Sequence, residues 1–438
     1  MANKFREYKM NKKILALAIP NIVSNISIPL VTTVDTILMG HLSSSHLAAL
    51  GIVGMIFLFL YGTINFLRRG TTGITAQAFG RDDKALFSKT LYRALFIALG
   101  LSLMLLLFQD FIGKLSFYLM NVDLKYEVYA QSYFTIRIYT APAVFMLYVL
   151  IGWFFGMQNA IYPLLITLLI NLLNILFSYY FVNVLHLGIE GAAYGTVIAQ
   201  YSGLILAFIF LLKYKNKLYW FPLGEIFKLN ELLIFLRINR DIFIRTILLT
   251  FSFAFFYAQA SKNGEETLTV MILLLQFIVW FAYTIDGFAN ASESLVGRYY
   301  GAKDWLNFAK VIKYTFMWGM GLTVIYMLVY FFFGMTILHL YTNQQGLIER
   351  TLFFLPYVSL MPILSFMAYL WDGIFVGMTA VKALRNITII SSLFFITVFY
   401  LFKDANFTYA LWFSFMNFFF MRGLLQSFLF WKEGKGLK

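Results

Sequence analysis

Residues 10–47 read MNKKILALAIPNIVSNISIPLVTTVDTILMGHLSSSHL. Basic residues stand at one end of a long apolar run that carries two prolines, Pro20 and Pro29, and one carboxylate, Asp35. About 20 apolar residues suffice to cross a bilayer as a helix. An ionised carboxylate inside such a span costs roughly 2.5–3.5 kcal/mol on insertion scales, so a segment that only anchors has no use for Asp35. The prolines remove backbone donors and are expected to bend or unwind the helix. A bent membrane helix with a buried acid fits a pump or transporter. The plainer reading is a hydrated interfacial carboxylate, since Asp35 lies shortly before His41.

Composition agrees with a membrane chain. Of 438 residues, 61% are hydrophobic and 12% charged, at a mean hydropathy of +0.78; soluble domains carry about 25% charged residues. The net charge of +14 is not a nucleic-acid signature, because Lys and Arg are grouped in short segments between apolar runs. With no cysteine, disulfides and thiolate chemistry are excluded. The first apolar run is too long for a signal peptide and is read as a retained span. Much of the Phe content is expected to face lipid or fill the core.

Twelve apolar spans are expected, at 12–40, 47–80, 87–110, 125–157, 163–185, 189–213, 231–261, 265–299, 306–340, 347–378, 384–402 and 406–431. With the N-terminus in the cytoplasm, the inner segments hold 27 Lys and Arg and the outer loops five. That imbalance places both termini inside. Arg137 and Arg422 fall within spans. The fold class is therefore all-α integral membrane, with an N-lobe at 1–212, a basic cytoplasmic linker at 213–230 and a C-lobe at 231–438. The linker either rests on the anionic inner leaflet or is a plain connection.

An internal repeat supports the two lobes. FGRDDKALFSKTL at 79–91 matches YGAKDWLNFAKVI at 300–312 through Gly80/Gly301, Asp83/Asp304, Phe87/Phe308 and Lys89/Lys310. IGWFFGM at 151–157 matches DGIFVGM at 372–378 through Gly152/Gly373, Phe154/Phe375, Gly156/Gly377 and Met157/Met378. Both pairs keep an offset of 221 positions. Six spans per half make the repeats parallel, with a substrate site expected between them.

Few polar groups in the spans can carry chemistry. Asp35 is in the first. Asp286, Asn290 and Glu293 are spaced to share one face of the eighth, and Asp372 is in the tenth, before Gly373. Intramembrane acids are expected to face the bundle interior or a water cavity, where burial disfavours the charged form and permits proton uptake and release. Competing readings pair Glu293 with Arg298 and make Asp372 a helix-end carboxylate. Tyr133, Asn174 and Thr196 add oxygens on spans four to six and, with Asp35, could form one polar cluster; singly, such residues pack helices. The histidines His41, His46, His186 and His339 all fall at outer ends, which argues against an intramembrane zinc or catalytic-His site and leaves external pH sensing or no role. No phosphate-binding loop occurs, so bound ATP does not power the chain.

At this point the sequence resembles the multidrug and toxic compound extrusion (MATE) transporters. The likeness is carried by IPNIVSNISIPLVTTVDTILMGHL in the first span, FLRRGTTGITAQAFGRDD at 66–83 and FANASESLVGRYYGA at 288–302. WDGIFVGMTAVKALRN at 371–386 resembles the DinF-like branch. The resemblance implies two six-helix lobes in a V around a central cavity, and efflux by alternating access driven by protons or sodium ions. It implies that Asp35 is the ion-coupling carboxylate, that Pro20 is where the first helix bends, and that Tyr133, Asn174 and Thr196 complete the N-lobe cluster. Members with a fuller cation site carry a second aspartate four residues after the asparagine, where this chain has Ser178. One carboxylate holds a bare sodium ion weakly, which favours protons as the coupling ion, with no other cofactor. The implied substrates are small amphipathic molecules, many cationic, and the implied setting is the inner (cell) membrane of a prokaryote.

Two other readings compete. A lipid or lipid-linked glycan flippase of the same superfamily needs a basic cavity for phosphates, for which the spans offer only Arg137, Arg422 and the Arg68–Arg69 pair. A membrane-embedded enzyme needs an intramembrane His, Cys or paired catalytic acids, and leaves the repeat unexplained.

Overall fold

The computed structural model describes the backbone of residues 2–434 and the side chains of residues 9–432. Lys4, Arg6, Lys435 and Lys438, which enter the topology reading, lie outside the described side chains. Among the described residues all regular structure is helical. Eleven spans have the length and apolarity to cross a membrane: α1 (Lys9–Leu42), α2 (Ser44–Gly80), α3 (Lys84–Leu107), α4 (Leu124–Gly156), α5 (Ile161–Val184), α6 (Gly188–Leu212), α7 (Leu229–Lys262), α8 (Glu265–Gly301), α9 (Trp305–Tyr341), α10 (Gln345–Gly377) and α11 (Val381–Phe402). A twelfth long helix, α12 (Phe407–Gly434), follows. The chain is a multi-pass membrane protein, and its apolar surface, such as the exposed run Phe331–Phe333, is the surface a helical membrane protein presents to lipid.

The prolines of α1 do not break it: the helix is continuous through Pro20 and Pro29. Side chains donate to backbone carbonyls along this stretch, from Asn21 to Leu17 O at 2.8 Å, Ser27 to Ser24 O at 2.7 Å and Thr33 to Pro29 O at 2.9 Å. Other spans carry the irregularities instead. α2 is interrupted at Asn65, and α4 contains a 3₁₀ turn at Ile138–Thr140. α5 ends in a π-helical turn at Tyr180–Val184, a feature often found beside functional residues.

The chain forms two compact units. One comprises Met1–Ile22 and Arg240–Lys438, the other Val23–Asn239. The boundaries fall inside α1 and α7 rather than in the 213–230 connection. That connection is docked on α3. Arg93, nearly fully buried, donates to Ile226 O and to the Glu231 carboxylate, Ser88 Oγ accepts from Tyr219 N at 3.1 Å, and Lys89 lies 3.6 Å from Glu225.

The sequence repeat is a repeat of helix packing. Gly80 and Gly301 end α2 and α8. Asp83 and Asp304 then cap α3 and α9, accepting from Leu86 N at 2.9 Å and Asn307 N at 3.1 Å. These caps satisfy backbone donors that a helix start leaves over. Between each glycine and its cap stands a residue with left-handed φ, Asp82 at 55° and Lys303 at 56°. A second left-handed pair follows α4 and α10, Gln158 at 62° and Thr379 at 56°. The matched glycines sit where backbones touch: a Cβ on Gly152 would overlap Arg68 O of α2, and one on Gly373 would overlap Ala289 O of α8. Small residues are what allow membrane helices so close.

Candidate functional site

In the unit Val23–Asn239, helices α1, α4, α5 and α6 bring polar side chains together away from water. Asp35 of α1 is buried, as are Tyr133 of α4, Asn174 and Ser178 of α5, and Thr196 of α6. Asn174 Nδ2 donates to Thr196 Oγ1 at 2.9 Å, and Thr196 Oγ1 donates onward to Ala192 O at 3.0 Å. Tyr133 lies beside Thr196, and the Asp35 carboxylate faces Ser178. The Asp35–Ser178 approach falls short of a hydrogen bond: Asp35 Oδ1, Ser178 Oγ and Asn174 Oδ1 are all buried without a partner. Gly195 of α6 keeps α5 and α6 close, since a Cβ there would stand 2.6 Å from Ser178 N. Asp35, Tyr133, Asn174, Ser178 and Thr196 therefore belong to one cluster.

The cluster also contains a residue whose part was not foreseen. Arg137, one helical turn after Tyr133, donates to Tyr133 Oη at 3.0 Å. Its guanidinium lies 4.8 Å from the centroid of Phe57, and its charge acts on Asp35. The signal was present as Tyr and Arg at i, i+4 inside an apolar span, but a single arginine there does not name its partner.

In the other unit, Asp372 of α10 is enclosed by cations. Its Oδ2 accepts from Arg245 of α7 and from Arg422 of α12, the latter at 2.7 Å, and its Oδ1 accepts from Gln426 at 2.8 Å. All four side chains are buried. Arg245, one of the 27 Lys and Arg assigned to the inner segments from the sequence, lies within α7 as a buried partner of Asp372, and without it the imbalance of charge stands. Asp286 of α8 shares this region, because the Tyr369 phenol is acted on by Asp286, Asp372 and Arg422 together. Asn290 donates to Asn21 Oδ1 at 3.4 Å, and Glu293 is fully buried. Asp372 is thus not a hydrated helix-end carboxylate.

The four histidines are exposed or half-exposed. Among the described residues no group of His, Cys, Asp or Glu is placed to hold a metal ion.

Comparison with known proteins agrees with the helical architecture and with the sequence resemblance. The MatE family pattern matches residues 20–180 and 242–401, the two repeats. The chain is 31% identical to the DNA damage-inducible protein F of Escherichia coli over 432 residues, covering 97% of this chain and 93% of that protein. It is 26% identical to a probable multidrug resistance protein NorM of Photorhabdus laumondii, covering 79% of this chain and 77% of the relative. A solved MOP superfamily transporter from Pyrococcus furiosus has the same fold, with a TM-score of 0.90, 19% identity and coverage of 98% and 96% of the two chains. Members of the MATE family are transporters, which sets the membrane-embedded enzyme aside. The chain belongs to the MATE family of efflux transporters, in its DinF-like branch.

Proposed function

We propose that the protein is a proton-driven secondary antiporter of a prokaryotic inner (cell) membrane, with both termini cytoplasmic, exporting amphipathic and often cationic compounds by alternating access. The observation that carries this reading is the Asp35 cluster: a lone carboxylate, buried in a membrane span, with one oxygen unpartnered beside Ser178 and Asn174. A carboxylate kept from water costs free energy while charged, and uptake of a proton relieves that cost. The Asn174–Thr196 pair and Tyr133 supply neutral dipoles that moderate it. Asp35 is the coupling group, discharged by a proton from outside and recharged by release inside. Pro20, which lacks a backbone donor, is the point at which α1 bends as Asp35 changes charge. Asp286, Asn290 and Glu293 are offered as substrate contacts, with Asp372 fixed among its arginines as their support.

The test is dye efflux from proteoliposomes under an imposed pH gradient or an imposed sodium gradient. Efflux is expected under the pH gradient alone and is lost in Asp35→Asn, which purifies as a folded protein. Full activity in that variant removes Asp35 from the mechanism. Efflux under sodium alone removes the proton, and transport of lipid in place of dye points to the flippase reading.

A further inference from the structure

We infer that Arg137 is the resident counter-cation of the Asp35 site and is the residue that closes the site to metal cations. This rests on the reading of Asp35 as coupling carboxylate and adds a specificity determinant to it.

Four observations combine. First, Arg137 is anchored: it donates to Tyr133 Oη at 3.0 Å and lies over the Phe57 ring at 4.8 Å. A guanidinium so placed gains from the ring's negative face. Second, it is within electrostatic reach of Asp35 yet makes no ion pair with it at 4.0 Å or less. Third, Arg137 Nε is buried without a partner, as are Asp35 Oδ1, Asn174 Oδ1 and Ser178 Oγ. The donor and the acceptors thus stand in one cluster without satisfying one another. Fourth, the second acid that would offset another cation is missing, because α5 has Ser178 one turn after Asn174. The groups facing Asp35 are Tyr133 and Arg137 from α4 and Ser178 from α5; Thr196 of α6 stands beside Tyr133 and accepts from Asn174, and Tyr61 of α2 lies within reach of Arg137.

With Asp35 ionised, the cluster already holds one negative and one positive charge. Any added cation meets the guanidinium and loses a comparable amount of binding free energy. The consequence differs between cations. A proton forms a covalent O–H bond that removes the buried charge, so burial of the carboxylate favours its binding and offsets the guanidinium's repulsion. A sodium ion has only the attraction of one carboxylate and a few neutral oxygens, and the same loss abolishes its binding. At an intermediate effective dielectric the repulsion changes affinity by about tenfold or more.

The experiment is thermal unfolding of the purified full-length protein in sodium chloride against N-methylglucamine chloride at equal ionic strength. Wild type and Arg137→Lys are expected to unfold at the same temperature in both salts. Arg137→Gln is expected to unfold several degrees higher in sodium, and the difference is expected to vanish in the double variant with Asp35→Asn. Arg137→Met, which keeps an apolar stem against Phe57, replaces Arg137→Gln should the latter not purify as a folded protein. A sodium-dependent shift in wild type overturns the inference, as does a folded Arg137→Gln or Arg137→Met protein indifferent to sodium. Failure of the coupling assignment is seen separately, as proton-driven efflux surviving in Asp35→Asn alone.

Discussion

Arg422 donates to Oδ2 of Asp372 at 2.7 Å, with both side chains almost wholly buried. Arg245 donates to the same oxygen. One carboxylate oxygen thus ties α7 and α12 to α10. Replacing both partners of a buried ion pair by apolar groups can be nearly neutral, but removing one partner strands the other. Asp372→Asn keeps the shape and deletes the charge, leaving two guanidinium groups short of a counter-ion. A loss on the order of 3–5 kcal/mol is expected, read as a lower unfolding temperature in detergent. Efflux per folded molecule should fall only in part. An Asp372→Asn protein as stable as wild type would mean that Asp286 or another acid carries both arginines.

The glycine pair offers a matched test of the repeat. Gly152→Ala and Gly373→Ala each push a methyl group into a carbonyl oxygen of the neighbouring helix, Arg68 O in one unit and Ala289 O in the other. Backbone cannot step aside as a flexible side chain can, so each substitution should cost about 1–3 kcal/mol. Gly54→Ala and Gly321→Ala, whose Cβ positions meet nothing within 4 Å, serve as controls and should be neutral or slightly stabilising. Unfolding temperatures of the four variants decide the matter; equal behaviour of all four would refute the close-approach account.

Release of the 213–230 connection is the third expectation. Arg93 holds it through Ile226 O and Glu231, and a buried guanidinium cannot be removed without freeing these acceptors. In Arg93→Ala, trypsin should cut after Lys213, Lys215 or Lys217 several-fold faster than in wild type, while the helices remain protected. Unchanged cleavage would show that Ser88, Lys89 and the ring contacts of Trp220 with Tyr92 and of Phe227 with Phe96 suffice.

Polar groups in apolar spans were legible in the sequence because their burial is costly and has to be compensated. Asp35, Tyr133, Asn174 and Thr196 stand out for that reason, Ser178 was singled out through the family resemblance, and the five meet. The glycine repeats were legible because close backbone approach admits few other residues. The roles of Arg137 and Arg245 were not, since hydropathy does not say whether an arginine inside a span points to water or to a buried acid. Pro20 and Pro29 do not unwind α1: a missing N–H costs a hydrogen bond, yet a continuous helix survives with side chains donating to carbonyls nearby.

The two left-handed pairs have a bearing on descent. From Asp82 to Gln158 and from Lys303 to Thr379 the chain covers equal intervals, and the helix starts at Lys84 and Trp305, and at Leu124 and Gln345, keep the same spacing. Within these intervals one copy breaks its helix after Leu107 and begins another at Gln109, where the other runs unbroken to Tyr341. The copies have therefore drifted by substitution while conserving length, so that aspartate faces lysine and glutamine faces threonine at turns whose backbone has not changed. What the two copies share is thus a common ruler, with side chains held only where it is read off: the glycines at backbone contacts and the aspartates at the caps.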